Sequence, residues 1–201
     1  AGTVTAAGPG ASLTPGTRVA IHAGHGGLAE AGVFAEDRCT PLPDSLDFDT
    51  AAAFQIAYGT SHLALTLRGR LAPGETLVVL GAAGGVGLTA VEIGARLGAR
   101  VIAVARGAEK CAIAAQAGAA ETLDAETPDL KAALKALGGA DVVYDAVGGD
   151  LGEAGFAALK PGGRFLLIGF AAGAPPALKL NHALVKNLEI PGLYCGGYLD
   201  L

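Results

Sequence analysis

The chain has 201 residues, 51% of them hydrophobic and only 16% charged, so it can bury a sizeable core and lacks the composition of a disordered segment. A net charge of −5 argues against nucleic acid as a partner, and no apolar run approaches the ~18 residues that a membrane span requires. The three cysteines, Cys39, Cys111 and Cys195, are odd in number and far apart, which suits reduced thiols in a cytoplasmic protein, and no charged-then-apolar leader directs secretion. Neither they nor His22, His25, His62 and His182 form a spaced ligand set, so no metal is expected. Met is absent and Ala1 begins in mid-pattern, which suggests a processed or partial chain.

Residues 1–44 read as a small β-rich unit. Short strands are expected at residues 3–5, 18–21 and 32–34, separated by Gly8-Pro9-Gly10, Pro15-Gly16 and the glycines between 24 and 27. Such a unit is too short to bury both faces of a sheet by itself. Pro41-Leu42-Pro43 reads as a linker, and Asp47 as the N-cap of an Ala-rich helix running to Arg68. Residues 45–201 then form the second domain.

That second domain is organised around residues 76–110, TLVVLGAAGGVGLTAVEIGARLGARVIAVARGAEK. The run at 77–80 is too short for a helix and reads as a buried strand, and Val86, Ala90, Ile93 and Leu97 recur at helical spacing. Gly98 ends that helix, and 101–104 is the next strand. Between the first strand and the helix lies Gly81-Ala82-Ala83-Gly84-Gly85-Val86-Gly87. Gly84 lets the backbone approach a diphosphate, Gly87 lets the helix pack on the strand, and the helix N-terminus, from Gly85 and Val86 onward, offers amides to the anion. Ala82 stands where the usual first glycine falls, so the strict G-x-G-x-x-G is broken. The alternative is a glycine-rich turn that binds nothing.

A free ribose 2′-hydroxyl usually meets a carboxylate at the end of the second strand. This chain has Arg106 there and Lys110 one helical turn on, which suits a 2′-phosphate and favours NADPH over NADH, although Glu109 lies between them. The competing reading makes both cations solvated surface charges.

The alternation then repeats. Helices are expected at 109–116, 129–137 and 151–159, and strands near 121–123, 142–144, 165–168 and, as a sixth, 188–193. Strands alternating with helices of this length define an α/β fold, a Rossmann-type doubly wound parallel sheet whose ligands bind beyond the carboxyl ends of the strands. The ends at Gly81, Ala105, Asp145 and Gly169 should face one crevice.

Several stretches together resemble one family, the zinc-independent, zeta-crystallin-like quinone oxidoreductases of the medium-chain dehydrogenase/reductase superfamily. They are residues 1–19, Gly27-Leu28-Ala29-Glu30, 51–65 around Tyr58-Gly59-Thr60, the 81–87 turn, DVVYDAVGGD (141–150), LKPGGRFLLIGF (159–170) and Lys186-Asn187 with the expected strand after it. The resemblance implies a partial GroES-like substrate domain ahead of a Rossmann domain that binds NADPH, and a chain shortened at both ends. It implies that Thr60 lies near the nicotinamide amide or the diphosphate, that Val147-Gly148 and Gly169-Phe170 cover the adenosine and nicotinamide ends, and that the chain pairs into a homodimer through the edge strand between Leu188 and Leu193. For Thr60 a hydroxyl bonded back to its own helix, and for Phe170 core packing, remain as alternatives. Pro191 leaves open a strand that ends there and is protected by the proline.

The four-cysteine loop that zinc-dependent relatives carry after the stretch matching Arg18-Val19 is absent, and so is their cysteine near Ala52. Ala125-Glu126 stands where many family members place a Tyr, often followed by Arg, against the 2′-phosphate. The resemblance implies hydride transfer to a quinone or an α,β-unsaturated carbonyl. Because the cofactor carries that chemistry and a proton can come from water or a ribose hydroxyl, no dedicated catalytic residue is assigned. Two other readings stand beside it: an enoyl-thioester reductase of the same superfamily, for which the basic patch is missing, and a non-catalytic NADPH-binding or structural protein.

Overall fold

A computed structural model describes residues 1–199. Contacts divide the chain into two units, Ala1–Ile56 and Ala57–Leu201, so the division falls inside a helix rather than at the prolines near residue 43.

The first unit holds three short antiparallel strands in the order β1-β2-β3: β1 (Gly2–Thr3), β2 (Arg18–Ile21) and β3 (Cys39–Pro41). The third strand is not the expected run at 32–34. Val33 is fully exposed, whereas Ile21 pairs with Cys39 and Val19 with Pro41, so cross-strand pairing outweighed local β-propensity. Arg18 fixes the following turn, its guanidinium donating to the carbonyls of Pro43, Asp44 and Leu46 and lying 4.7 Å from the centre of the Phe48 ring. A cavity of about 300 Å³ in this unit is lined by residues that include Val19, Ile21, Phe34 and Cys39.

Helix α1 (Phe48–Leu63) starts where expected. Asp47 accepts from the Thr50 amide and hydroxyl, both at 2.8 Å, and the helix runs on through a π turn, Ala64–Arg68. The second unit then alternates strand and helix: β4 (Thr76–Leu80), α2 (Gly85–Arg96), β5 (Arg100–Ala105), α3 (Ala108–Gln116), β6 (Glu121–Asp124), α4 (Leu130–Ala136), β7 (Ala140–Asp145), α5 (Gly149–Ala157) and β8 (Leu159–Leu167). Two short helices follow, α6 (Leu180–Lys186) and α7 (Gly196–Leu199).

The five strands β4 to β8 form one parallel sheet in the order β6-β5-β4-β7-β8, so the order reverses at β4. Successive residues of β4 feed opposite faces: Leu77 and Val79 pack with Ala90 and Val91 of α2, and Val78 and Leu80 with Leu134 of α4 and Phe156 of α5. Every residue of that strand is buried, as expected of a central strand covered on both sides. Phe156 and Phe165 meet edge to face at 5.5 Å, a contact worth ~0.5–1.5 kcal/mol beyond its burial.

The expected sixth strand at 188–193 runs parallel to β8 but as two isolated bridges, Arg164 with Glu189 and Leu167 with Gly192. Pro191 explains the gap. Its carbonyl accepts from Leu167 N, but it has no N–H to return to β8. Arg70 clamps the segment through Glu189 at 2.6 and 2.8 Å, and Arg68 Nε reaches the Gly192 carbonyl.

Candidate functional site

The parallel strands bring the ends of β4, β5, β7 and β8 to one side of the sheet, beside the point where strand order reverses. At the end of β4, Gly81 takes φ 73°, and its amide and that of Ala82 both donate to Val104 O at 3.0 Å. The turn glycine is therefore Gly81, and the spacing is Gly81, Gly84, Gly87 in place of the strict G-x-G-x-x-G that Ala82 breaks. The strained backbone position is one residue earlier than the strict pattern places it. Gly84 is the N-cap of α2 and brings no side-chain cap, so the first helical amides rely on a partner from outside the helix. Gly84 and Gly85 are exposed, and a methyl built on Gly85 would meet no atom within 4 Å. Gly87 is the opposite case: a Cβ there would lie 2.1 Å from Gly81 O.

A buried hydroxyl cluster holds the start of α2 from behind. Ser61 of α1 donates to Val86 O at 2.8 Å, and its oxygen lies 2.8 Å from Thr89 Oγ1 and 3.0 Å from the Tyr144 hydroxyl. The Tyr144 phenol meets Ser61 through a hydrogen bond in which either hydroxyl can donate, and it keeps its own proton. Burial pushes the Tyr144 phenol up to about 12, which keeps that proton in place. Tyr144 is fully buried. Thr60 precedes Ser61 and is buried.

The loops after β7 and β8 are bonded to each other. Ile168 N donates to Asp145 O, Ala171 N to Ala146 O and Ala172 N to Val147 O. The fully buried Asp145 Oδ1 accepts from Val147 N and Gly148 N at 2.9 Å each, an Asx turn. Burial pushes its carboxyl above the usual range, against the pull of those two amides. Val147 reaches back to the glycine turn, since a Cβ on Gly81 would meet Val147 Cγ2 at 2.8 Å. Gly148 faces Phe170, which is half exposed, and Gly169 sits against the Ala146 carbonyl.

Arg106 follows the end of β5, Gly107 caps α3 with φ 79°, and Lys110 is exposed in the first turn of α3. The adjacent strand β6 ends at Asp124, and Glu126 just beyond it lies 3.6 Å from Arg106. The expected site residues therefore fall into three places, Gly84, Gly85, Val86 and Gly87, then Val147 with Gly169 and Phe170, then Arg106 with Lys110, while Thr60 is a buried residue of α1. Sequence reasoning missed the role of Ser61, Gly81 and the Glu126 contact. Only the glycine had a local signal, its place at the end of a strand three residues before Gly84.

A doubly wound parallel sheet with an uncapped glycine turn at its central strand defines a Rossmann-type unit. A zinc-binding dehydrogenase family model matches residues 85–201. A quinone oxidoreductase-like protein 2 homolog from Nematostella vectensis is 38% identical over 192 residues, 93% of this chain and 52% of that protein. Among solved structures, the quinone oxidoreductase from Thermus thermophilus, whose structures include its complex with NADPH, is 35% identical with a TM-score of 0.81, over 93% of this chain and 60% of that one. The Escherichia coli quinone oxidoreductase complexed with NADPH is 28% identical with a TM-score of 0.84, over 98% and 62%. The chain belongs to the zinc-binding dehydrogenase family, as a quinone oxidoreductase-like member of the medium-chain dehydrogenase/reductase superfamily. It spans about half the length of the curated relatives it matches.

The family's name raises the question of zinc. Among the described residues no three His, Cys, Asp or Glu side chains converge as a ligand set, so the residues present do not fit that ion and no step is derived through it. Among them, too, no helix is long and apolar enough to cross a membrane.

Proposed function

We propose that this chain is the NADPH-binding portion of an oxidoreductase that passes a hydride to a small quinone or α,β-unsaturated carbonyl, without zinc. The observation that carries the reading is the open, uncapped glycine turn at the carboxyl end of the central strand. It fits a diphosphate: the backbone is exposed at Gly84 and Gly85, no side chain fills the space, and the helix end carries a partial positive charge. The amides of Gly85, Val86 and Gly87 would hold the diphosphate, with Thr60 beside them. Arg106 and Lys110 would hold the 2′-phosphate, and Val147, Gly169 and Phe170 would line the loops that cover the rest.

When bound, NADPH supplies the hydride from C4 of its nicotinamide. The residues of this chain bind and orient. Ser61, Thr89 and Tyr144 fix the helix start, and the Asx turn at Asp145 sets the path of Val147 and Gly148. A quinone acceptor is supported by the names of the relatives, a quinone oxidoreductase-like protein and a quinone oxidoreductase. The three cysteines are free, in keeping with a reducing, cytoplasmic setting.

Calorimetric titration of the chain with NADPH and NADH tests the reading. NADPH is expected to bind, and Arg106→Glu to weaken it at least about tenfold while sparing NADH, because a charge-assisted phosphate contact is worth ~1.5–3 kcal/mol. No dinucleotide binding in the wild type would end the proposal. NADPH bound without turnover of a quinone such as phenanthrenequinone would favour a non-catalytic binding role.

The reading extends to a homodimer through residues 188–193. Glu189, Pro191 and Leu193 direct their backbone groups at β8, so Ile190 and Gly192 direct theirs outward, and the missing N–H of Pro191 lies on the inner side where it protects nothing. Leu180, Leu184, Val185 and Tyr194 are exposed nearby in sequence, an apolar set suited to a second copy. Sedimentation velocity should show a dimer for the wild type and a monomer for Ile190→Pro, which deletes one outward amide. A monomeric wild type would remove the dimer.

A further inference from the structure

We propose that Glu126 sets the dinucleotide preference of this chain, by competing with a 2′-phosphate for Arg106 and so admitting ligands with and without that group. The inference rests on the cofactor reading of the glycine turn and deepens it.

Strands β5 and β6 are parallel neighbours, with Ala105 opposite Asp124, so the residues that follow each strand emerge side by side. Arg106 leaves one strand and Glu126 the other, and Arg106 Nε lies 3.6 Å from Glu126 Oε1. Asp124 fastens this arrangement. Its Oδ1 accepts from Glu126 N at 3.0 Å, which turns the chain so that Glu126 faces Arg106. The amides of Glu126 and then Gly107, opposed by slight burial and helped by Arg106, hold the Asp124 carboxyl below its usual value.

The charges around the subsite are therefore Arg106 and Lys110 against Glu109, Asp124 and Glu126. A 2′-phosphate adds about two further negative charges. It must displace or tolerate Glu126, whereas a ribose 2′-hydroxyl brings no charge and can accept from Arg106 or donate to the carboxylates. Both partners of the ion pair are about three-quarters exposed, at 75% and 74%, so the pair is screened and opens at little cost. Glu126 is a competitor and not a lock. Its penalty on the phosphorylated ligand is roughly three- to tenfold at ordinary ionic strength.

The test titrates the chain calorimetrically with 2′,5′-ADP and with 5′-AMP, which differ only in the 2′-phosphate and need no turnover. In the wild type the two affinities should lie within about tenfold of each other. Glu126→Gln should tighten 2′,5′-ADP roughly three- to tenfold and leave 5′-AMP unchanged, with the gain shrinking as salt is raised. In an Arg106→Met background the same Glu126→Gln change should have no effect. An unchanged ratio in Glu126→Gln, or an equal gain for both ligands, would overturn the role of Glu126 while leaving the glycine-turn reading intact. Binding of neither ligand to the wild type would overturn both.

Discussion

Gly87→Ala is expected to lower the stability of the second unit by about 3 kcal/mol or more and to weaken NADPH binding by about two orders of magnitude. The added methyl would lie 2.1 Å from Gly81 O, 2.8 Å from Gly81 C and 3.1 Å from Ala82 Cα. All three atoms are backbone, so no rotamer change relieves the clash, and the start of α2 must lift from the end of β4. That movement displaces the amides proposed to hold the diphosphate and pulls Val86 O away from Ser61. Gly85→Ala is the matched control. Its methyl enters open space, so it should melt with the wild type yet bind dinucleotide less well, since the space it fills is the ligand's. A thermal melt and a cofactor titration on both variants check this, and a Gly87→Ala protein that melts and binds like the wild type would show that the close approach is immaterial.

Arg164→Met should cost about 2–3 kcal/mol, and the cost should depend on pH. Arg164 of β8 donates through Nε to Gly69 O at 2.9 Å and grips Glu75 with both terminal nitrogens, at 2.8 and 2.6 Å, with only 12% of its side chain exposed. Its loss leaves a carboxylate at 24% exposure without its main partner. The Arg164 hydrogen bonds, against burial, hold the Glu75 carboxyl below its usual value of 4.5, and the Ala72 amide adds to them. A carboxyl depressed on folding contributes stability above its unfolded value, and that contribution is lost as pH falls through the folded value. The difference in melting temperature between wild type and Arg164→Met should therefore hold steady from pH 6 to 8, at roughly 5–10 °C. It should narrow below about pH 4.5, as Glu75 protonates first in the unfolded chain and then in the folded one. A difference that widened in acid would mean that the pair does not hold β8 to the turn before β4.

These two sites also mark how far the amino-acid order could be read. Short apolar runs placed four of the five parallel strands, and helical spacing placed α2, because periodicity and turn chemistry are properties of adjacent residues. Asp47 was legible as a cap and Asp129 as the start of a helix for the same reason: each acts within three residues of itself. The clash that makes Gly87 necessary is nearly as local, spanning one strand-to-helix turn. The third N-terminal strand was not legible, since Cys39–Pro41 is a strand only because β2 lies beside it.

The amino-acid order alone thus determined a Rossmann-type alternation, a buried central strand and a glycine turn open to a ligand. Tertiary structure alone decided which distant side chains meet. Ser61 and Tyr144 are 83 residues apart, Glu75 and Arg164 are 89 apart, and each pair touches because strand order is not chain order. Arg106 and Glu126 are brought together by two strands that are neighbours in the sheet and separated by a helix in the chain. A hydrogen bond or ion pair between remote segments leaves no periodic trace in either one, so its existence is known only once the sheet has assembled.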